Sequence, residues 1–199
     1  MYLHATDRVV PSSQTNAVQG TIYWDAPKSI WLFIMITGGI AAITLAQSWS
    51  GFAVFLGTTA VTICAGHSVG MHRLLIHRSF QTPKWLEYTL VWLGTLVGMA
   101  GPFGMIRAHD MRDWHQRQTI CPPHPSHGAG FWRDAWWQMH CRFELDHPPQ
   151  FEVEPEIASD RVYQWIGRHW MAQQLFVAIP FFLIGGMEFV LWGVCLRVA

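Results

Sequence analysis

Charge is scarce in this sequence. Lys, Arg, Asp and Glu make up 13% of the residues, about half of the ~25% usual in soluble domains. Hydrophobic residues make up 51%, with 12 Trp and 12 Phe, so the chain reads as a membrane protein. The few charges also cancel, 13 basic against 13 acidic. No basic excess is left for a phosphate backbone, so nucleic acid is not an expected partner. Cysteine is sparse as well. Cys64, Cys121, Cys141 and Cys195 are widely spaced and fit neither a disulfide framework nor a zinc ribbon. The opening MYLHATDRVVPSSQTNAVQG lacks an apolar core behind a basic residue, which excludes a signal peptide. Residues 1–28 read as a polar N-terminal tail. No internal repeat or low-complexity tract is present.

What the chain does have is long uncharged runs. SIWLFIMITGGIAAITLAQ, from Ser29 to Gln47, is about 28 Å long as a helix, enough to cross a bilayer core. A short SWSG turn leads into FAVFLGTTAVTICAGHSVGM, Phe52 to Met71, so residues 29–71 read as a transmembrane hairpin. Lys28 precedes the first run and Arg73, Arg78 and Lys84 follow the second, while the turn has no basic residue. The positive-inside rule then puts the N-terminus and the segment after the hairpin in the cytoplasm.

The next apolar stretch, Trp85 to Ile106, holds Glu87 and the breaker AGPFG. It reads as a half-buried helix ending at the glycines and Pro102 rather than as a span. From Arg107 to Arg168 the chain is polar with Trp and His interleaved and reads as a cytoplasmic helical cap, so residues 72–172 are expected to hold the histidine boxes, the half-buried helix and that cap. In it GFWRDAWWQMH would cover apolar surface. Residues 173–199 form a third span carrying Pro180 and Glu188. Glu188, near its far end, needs a partner or the interface. The expected fold class is an all-α membrane protein: a transmembrane helical hairpin, a further span and a cytoplasmic cap.

The stretch GMHRLLIHRSF brings His72 and His77 to the end of the second apolar run. Neutral imidazole is a common ligand for iron, zinc or copper. Five residues advance an α-helix by about 140°, so both rings meet one metal only if His77 sits at or past the helix end. The RSFQTPK that follows is consistent with such an ending. The alternative is interfacial anchoring beside the arginines. His67 lies five residues before His72 and inside the span, where an ionisable group is costly. It is a candidate extra ligand or a partner behind the ligands.

The wording of this motif adds to its spacing. It resembles the first histidine box of integral-membrane fatty acid desaturases of the acyl-CoA type: glycine, any residue, His-Arg-Leu, then His-Arg-Ser/Thr and an aromatic. The order of elements agrees, and PPHPSHGAGFWRDAWW, Pro122 to Trp137, is similar to the family's stretch after the second box. The resemblance runs from Asp25 to the C-terminus. It implies an oxidoreductase that inserts a cis double bond into a fatty acyl chain, consuming O2 and two electrons. In the family two irons are held by histidines from three boxes at the cytoplasmic ends of four spans. Implied partners are a fatty acyl substrate on CoA, carrier protein or lipid, and a separate electron donor of ferredoxin or cytochrome b5 type. The metal supplies the oxidising power and the protein a dry, bent channel.

The sequence departs from the family pattern at two places. The second box, His-x-x-His-His, falls on IRAHDMRDWHQRQ. His109 matches its first position, but Arg112 and Asp113 follow, and a guanidinium cannot ligate iron. Asp113 is i,i+4 from His109 and a carboxylate suits iron, so His72, His77, His109 and Asp113 form the candidate ligand set. The alternative pairs Asp110 and Asp113 with Arg107, Arg112 or Arg117 on a solvated helix. His115, two positions past the box, is a further candidate. The third box would follow Ala199, so an incomplete iron complement is expected. The chain is then expected to be a truncated desaturase or a degenerate, non-catalytic homologue acting in lipid binding or assembly. A membrane haem protein is a third reading, with only His67 inside a span.

Other groups are weaker candidates. Cys121, His124, His127 and His140 or Cys141 imitate a zinc site but sit on loose, proline-broken spacing. His124 is expected to be structural or substrate-facing. Trp132, Trp136 and Trp137 read as cap packing or interface belts rather than a cofactor box. Glu144, Asp146 and the run EVEPE read as a solvated face, and His4, His147 and His169 receive no role.

Overall fold

A computed structural model describes residues 8–120 and 130–199. His4, Cys121, His124 and His127 lie outside the described residues. The described chain is mainly helical, with two small antiparallel sheets. Among the described residues, three helices are long and apolar enough to cross a membrane: Ala26–Leu45, Trp49–Ile76 and Ala172–Leu196. These are the segments expected from the hydropathy. The described residues divide into two compact units, one built from Phe33–Ile106 and Pro155–Ala199, the other from residues 8–32, 107–120 and 130–154.

In the first unit, α1 (Ala26–Leu45) enters from the second unit and ends at the SWSG turn. Ser48 caps the next helix, α2 (Trp49–Ile76), its hydroxyl accepting from the Gly51 N–H at 2.9 Å. The Ser48 hydroxyl also donates to Glu188, and the Ser50 hydroxyl lies 3.3 Å from the same carboxylate. The turn is therefore the partner that an apolar-segment carboxylate requires. The indole of Trp192 donates to the Ala46 carbonyl at 2.7 Å, closing a carbonyl at the end of α1 that has no helical partner.

Helix α3 (Lys84–Thr95) packs on α2 through glycines. A Cβ on Gly66 would overlap the backbone of Leu93 and Gly94, and one on Gly70 would overlap the Leu90 carbonyl. Small residues thus let the two backbones touch, with Met71, Leu74, Leu75, Ile76 and Val91 buried around the crossing. The expected half-buried helix is found here. It stops before Gly98, at φ 88, and Pro102 opens α4 (Pro102–Gln116) at the position where its missing N–H costs nothing.

Short helices α6 (Pro155–Ala158) and α7 (Arg161–Arg168) follow later in the chain. Asp160 caps α7, accepting from Val162 and Tyr163 N–H at 2.9 and 3.2 Å. It also accepts from the Tyr88 hydroxyl at 2.9 Å. Glu87, the charge that argued against a span over α3, accepts from Lys84 at 2.8 Å and from the buried Tyr163 hydroxyl. Burial, then the bond to Glu87, push the Tyr163 phenol well above its usual range.

The last apolar helix, α8 (Ala172–Leu196), has a course that the sequence reading did not anticipate. It is broken at Gly185 and Gly186, where Gly186 has φ 63 and ψ −158, a conformation open to glycine alone. The two limbs turn back on each other, with the Phe181 and Phe189 rings 6.5 Å apart. A straight helix would hold Gln174 and Arg197 about 34 Å apart. Instead the Arg197 guanidinium donates to Gln174 Oε1 at 2.5 Å, and both side chains donate to the Leu96 carbonyl at the end of α3. The third apolar segment expected from the sequence is thus present, but as two helical limbs joined at Gly185 and Gly186.

In the second unit, β1 (Val9–Val10) pairs antiparallel with β4 (Gln150–Phe151). Strand β2 (Gly20–Trp24) pairs with β3 (Cys141–Leu145), Gly20 opposite Leu145 and Trp24 opposite Cys141. Helix α5 (Phe131–His140) runs directly into β3. The stretch read as a polar tail is therefore folded from Arg8 onward. Arg8 is 2% exposed, donating to Glu154 at 2.7 and 2.8 Å and to Asp110 at 2.8 Å. Glu154, read as part of a solvated acidic face, is one arm of this ion pair. Cys64, Cys141 and Cys195 are free thiols.

Candidate metal centre

From Val61 to Ile76, α2 is a π-helix. Its i→i+5 register ends with the His77 N–H donating to the His72 carbonyl at 3.0 Å. In this register residues five apart sit one turn above each other, so the 140° offset of an α-helix does not apply. His77 is the first residue past the helix, and Arg78 at φ 48 turns the chain away. The His72 and His77 rings meet edge to face, centroids 4.5 Å apart at 82°, with their Nε2 atoms 3.2 Å apart.

That separation is informative. Two nitrogens bound side by side to one ion at the ~2.1 Å typical of metal–imidazole bonds lie about 3 Å apart. The pair therefore fits one metal ion without moving, and it equally suits an N–H···N bond between two neutral rings. His67 lies one π-turn below His72 in the same helix. Its Nδ1 is buried and has no hydrogen-bond partner among the described residues.

His109, on α4 in the second unit, is oriented by acids. Its Nδ1 is 3.0 Å from Asp110 Oδ1 and 3.8 Å from Asp113 Oδ2. A carboxylate can only accept, so Nδ1 carries the proton and Nε2 is the ligand-competent nitrogen. Asp110 is in turn held by Arg8 at 2.8 Å. This corrects the expected pairing of Asp110 with Arg107, Arg112 or Arg117: its guanidinium comes from 102 residues earlier. Sequence reasoning named Asp110 but missed Arg8 as its partner, because a lone arginine in a polar stretch carries no local signal. Asp113 flanks the Nδ1 side of His109, its side chain 42% exposed. His115 is buried, its Nε2 without a hydrogen-bond partner among the described residues, and burial lowers its pKa against a bond to the Met111 carbonyl.

Fold and site together define a class: a helical membrane protein with a histidine pair held at the end of an apolar helix. Comparison with known proteins makes this specific. The chain is 36% identical over 151 residues to an sn-1 stearoyl-lipid 9-desaturase of Anabaena variabilis, covering 76% of this chain and 54% of that protein. It is 31% identical over 180 residues to an sn-2 palmitoyl-lipid 9-desaturase of Nostoc sp., covering 87% and 62%. It is 28% identical over 171 residues to an acyl-CoA 5-desaturase of Anemone leveillei, covering 82% and 52%. The chain belongs to the fatty acid desaturase family. It spans between half and two thirds of the length of these relatives. No protein-family model and no solved structure matches it.

Proposed function

We propose that this chain acts as an O2-dependent fatty acyl desaturase that introduces a cis double bond into a membrane-lipid or CoA-borne acyl chain. The observation that carries the reading is the His72–His77 pair, whose Nε2 atoms converge to 3.2 Å in the family's first box. His72, His77 and His109 would hold iron, with His67 and His115 as further candidates; Asp113, expected as a carboxylate ligand, lies on the protonated Nδ1 side of His109 and would support that ring rather than ligate. Bound iron supplies, with O2, the oxidising power that an unactivated methylene C–H requires. The protein residues do the holding. The π-register fixes the two rings against each other. Asp110, anchored by Arg8, keeps the His109 proton on Nδ1 and its lone pair on Nε2.

The names of the relatives support acyl-lipid and acyl-CoA substrates. Arg73, Arg78 and Lys84 beside the pair support a cytoplasmic site, reached there by a separate ferredoxin or cytochrome b5 type donor. A second reading, a homologue without chemistry, is favoured by Arg112 standing where the second box expects an imidazole. Metal analysis of detergent-purified protein separates the two. The desaturase reading expects iron approaching stoichiometry that falls in His72→Ala and His77→Ala. Background iron in the unaltered protein, or a haem spectrum, overturns it.

A further inference from the structure

The aromatic helix α5 plays no part in the metal centre, yet most of its large rings face outward. Phe131, Trp132 and Trp136 are 75%, 83% and 61% exposed. Trp132, Trp136 and His140 follow at i,i+4 steps along one side of the helix, and the Trp136 ring lies 4.3 Å from the His140 ring. Asp134 and Gln138 lie on the other side, following Phe131 at the helix start, and the Gln138 amide donates to the Asp134 carboxylate at 2.5 Å.

The end of this stripe is tied to the start of a membrane segment. His140 Nδ1 shares a hydrogen bond with the Ser29 hydroxyl at 3.0 Å, and the Asp25 N–H donates to the His140 carbonyl at 2.8 Å. The Lys28 ammonium reaches the Cys141 carbonyl at 3.5 Å. Ser29 and Lys28 are in the first turn of α1, whose 20 residues match a hydrocarbon core of about 30 Å. That first turn therefore stands at headgroup level, and the end of α5 stands there with it. Trp24, 67% exposed at the end of β2, is at the same level because α1 begins two residues later.

We propose that α5 is a membrane-surface anchor, with its Trp132–Trp136 face seated in the headgroup region of the bilayer that α1 enters. Tryptophan suits that zone, since its ring is apolar while its N–H can stay hydrated. A contiguous aromatic patch left in water would be a liability. The role resolves the two sequence readings of these tryptophans in favour of the interface. Its physical effect is to tether the second unit at both α1 and α5 rather than at α1 alone.

Spin labelling tests this on the full chain in phosphatidylcholine nanodiscs, with Cys64, Cys121, Cys141 and Cys195 replaced by serine. Nitroxides are placed singly through Trp132→Cys, Trp136→Cys and Gln138→Cys. The expected result is several-fold lower collision with a water-soluble nickel complex at 132 and 136 than at 138, together with higher collision with dissolved oxygen. High nickel access at all three sites puts the face in water and overturns the proposal. Low access to both nickel and oxygen at 132 and 136 means that protein covers the face, and also overturns it. A second readout needs no label: brominated lipid should quench less of the emission of the Trp132→Phe, Trp136→Phe double variant than of the parent. Unchanged quenching counts against the anchor.

Discussion

Gly66→Ala is the most direct probe of the crossing that carries the histidine pair. The new methyl would sit 2.6 Å from the Leu93 carbonyl oxygen and closer still to the Gly94 nitrogen. Those atoms are backbone, so no side chain can swing aside and α3 must move off α2. Over-packing of this kind costs about 1–3 kcal/mol. Alanine in place of glycine returns about 0.5–1 kcal/mol through a stiffer unfolded chain. Because the collision is with backbone, the upper part of the first range applies and the net loss is about 2 kcal/mol. Gly57→Ala is the matched control, since a Cβ there meets nothing within 4 Å and only the gain of about 0.5–1 kcal/mol remains. The two variants should differ by about 2–3 kcal/mol, or roughly 5–10 °C in Tm for a chain of this size. Thermal unfolding in detergent, followed by near-ultraviolet circular dichroism of the 12 tryptophans, reads the difference. If Gly66→Ala melts at or above Gly57→Ala, the two backbones do not touch and the reasoning fails.

Two further outcomes follow from the polar networks. Asp110→Ala removes the carboxylate that holds the His109 proton on Nδ1, so metal affinity measured by cobalt titration should fall about 10- to 100-fold; unchanged affinity would remove Asp110 from the site. Tyr163, buried against Glu87, has its phenol pKa raised by burial and by that bond. Below the unfolded value of about 10 its contribution to stability is complete. Above it, the unfolded chain loses the proton first and stability declines. Melting temperature should drop above pH ~10 more steeply in the parent than in Tyr163→Phe, and equal slopes would contradict this.

The sequence by itself determined the membrane class, the positions of the apolar helices, the half-buried α3 and the histidine motif. Each depends on residues that are near neighbours in the chain. Mean hydropathy over a run decides a membrane segment. Glu87 with AGPFG decides against one, and the spacing around His72 and His77 is itself the signal. It also raised the need for a Glu188 partner without naming Ser48 and Ser50. The tertiary structure decided what depends on distant partners or on backbone register. Arg8 finds Asp110 and Glu154 across 102 and 146 positions, and β2 becomes a strand only because β3 lies beside it. Gly185 and Gly186 look like ordinary helix glycines until the limbs on either side pack together. The i→i+5 register of α2 has no counterpart in residue preference. Yet that register, with His77 just past the helix end, brings the two imidazole nitrogens to 3.2 Å.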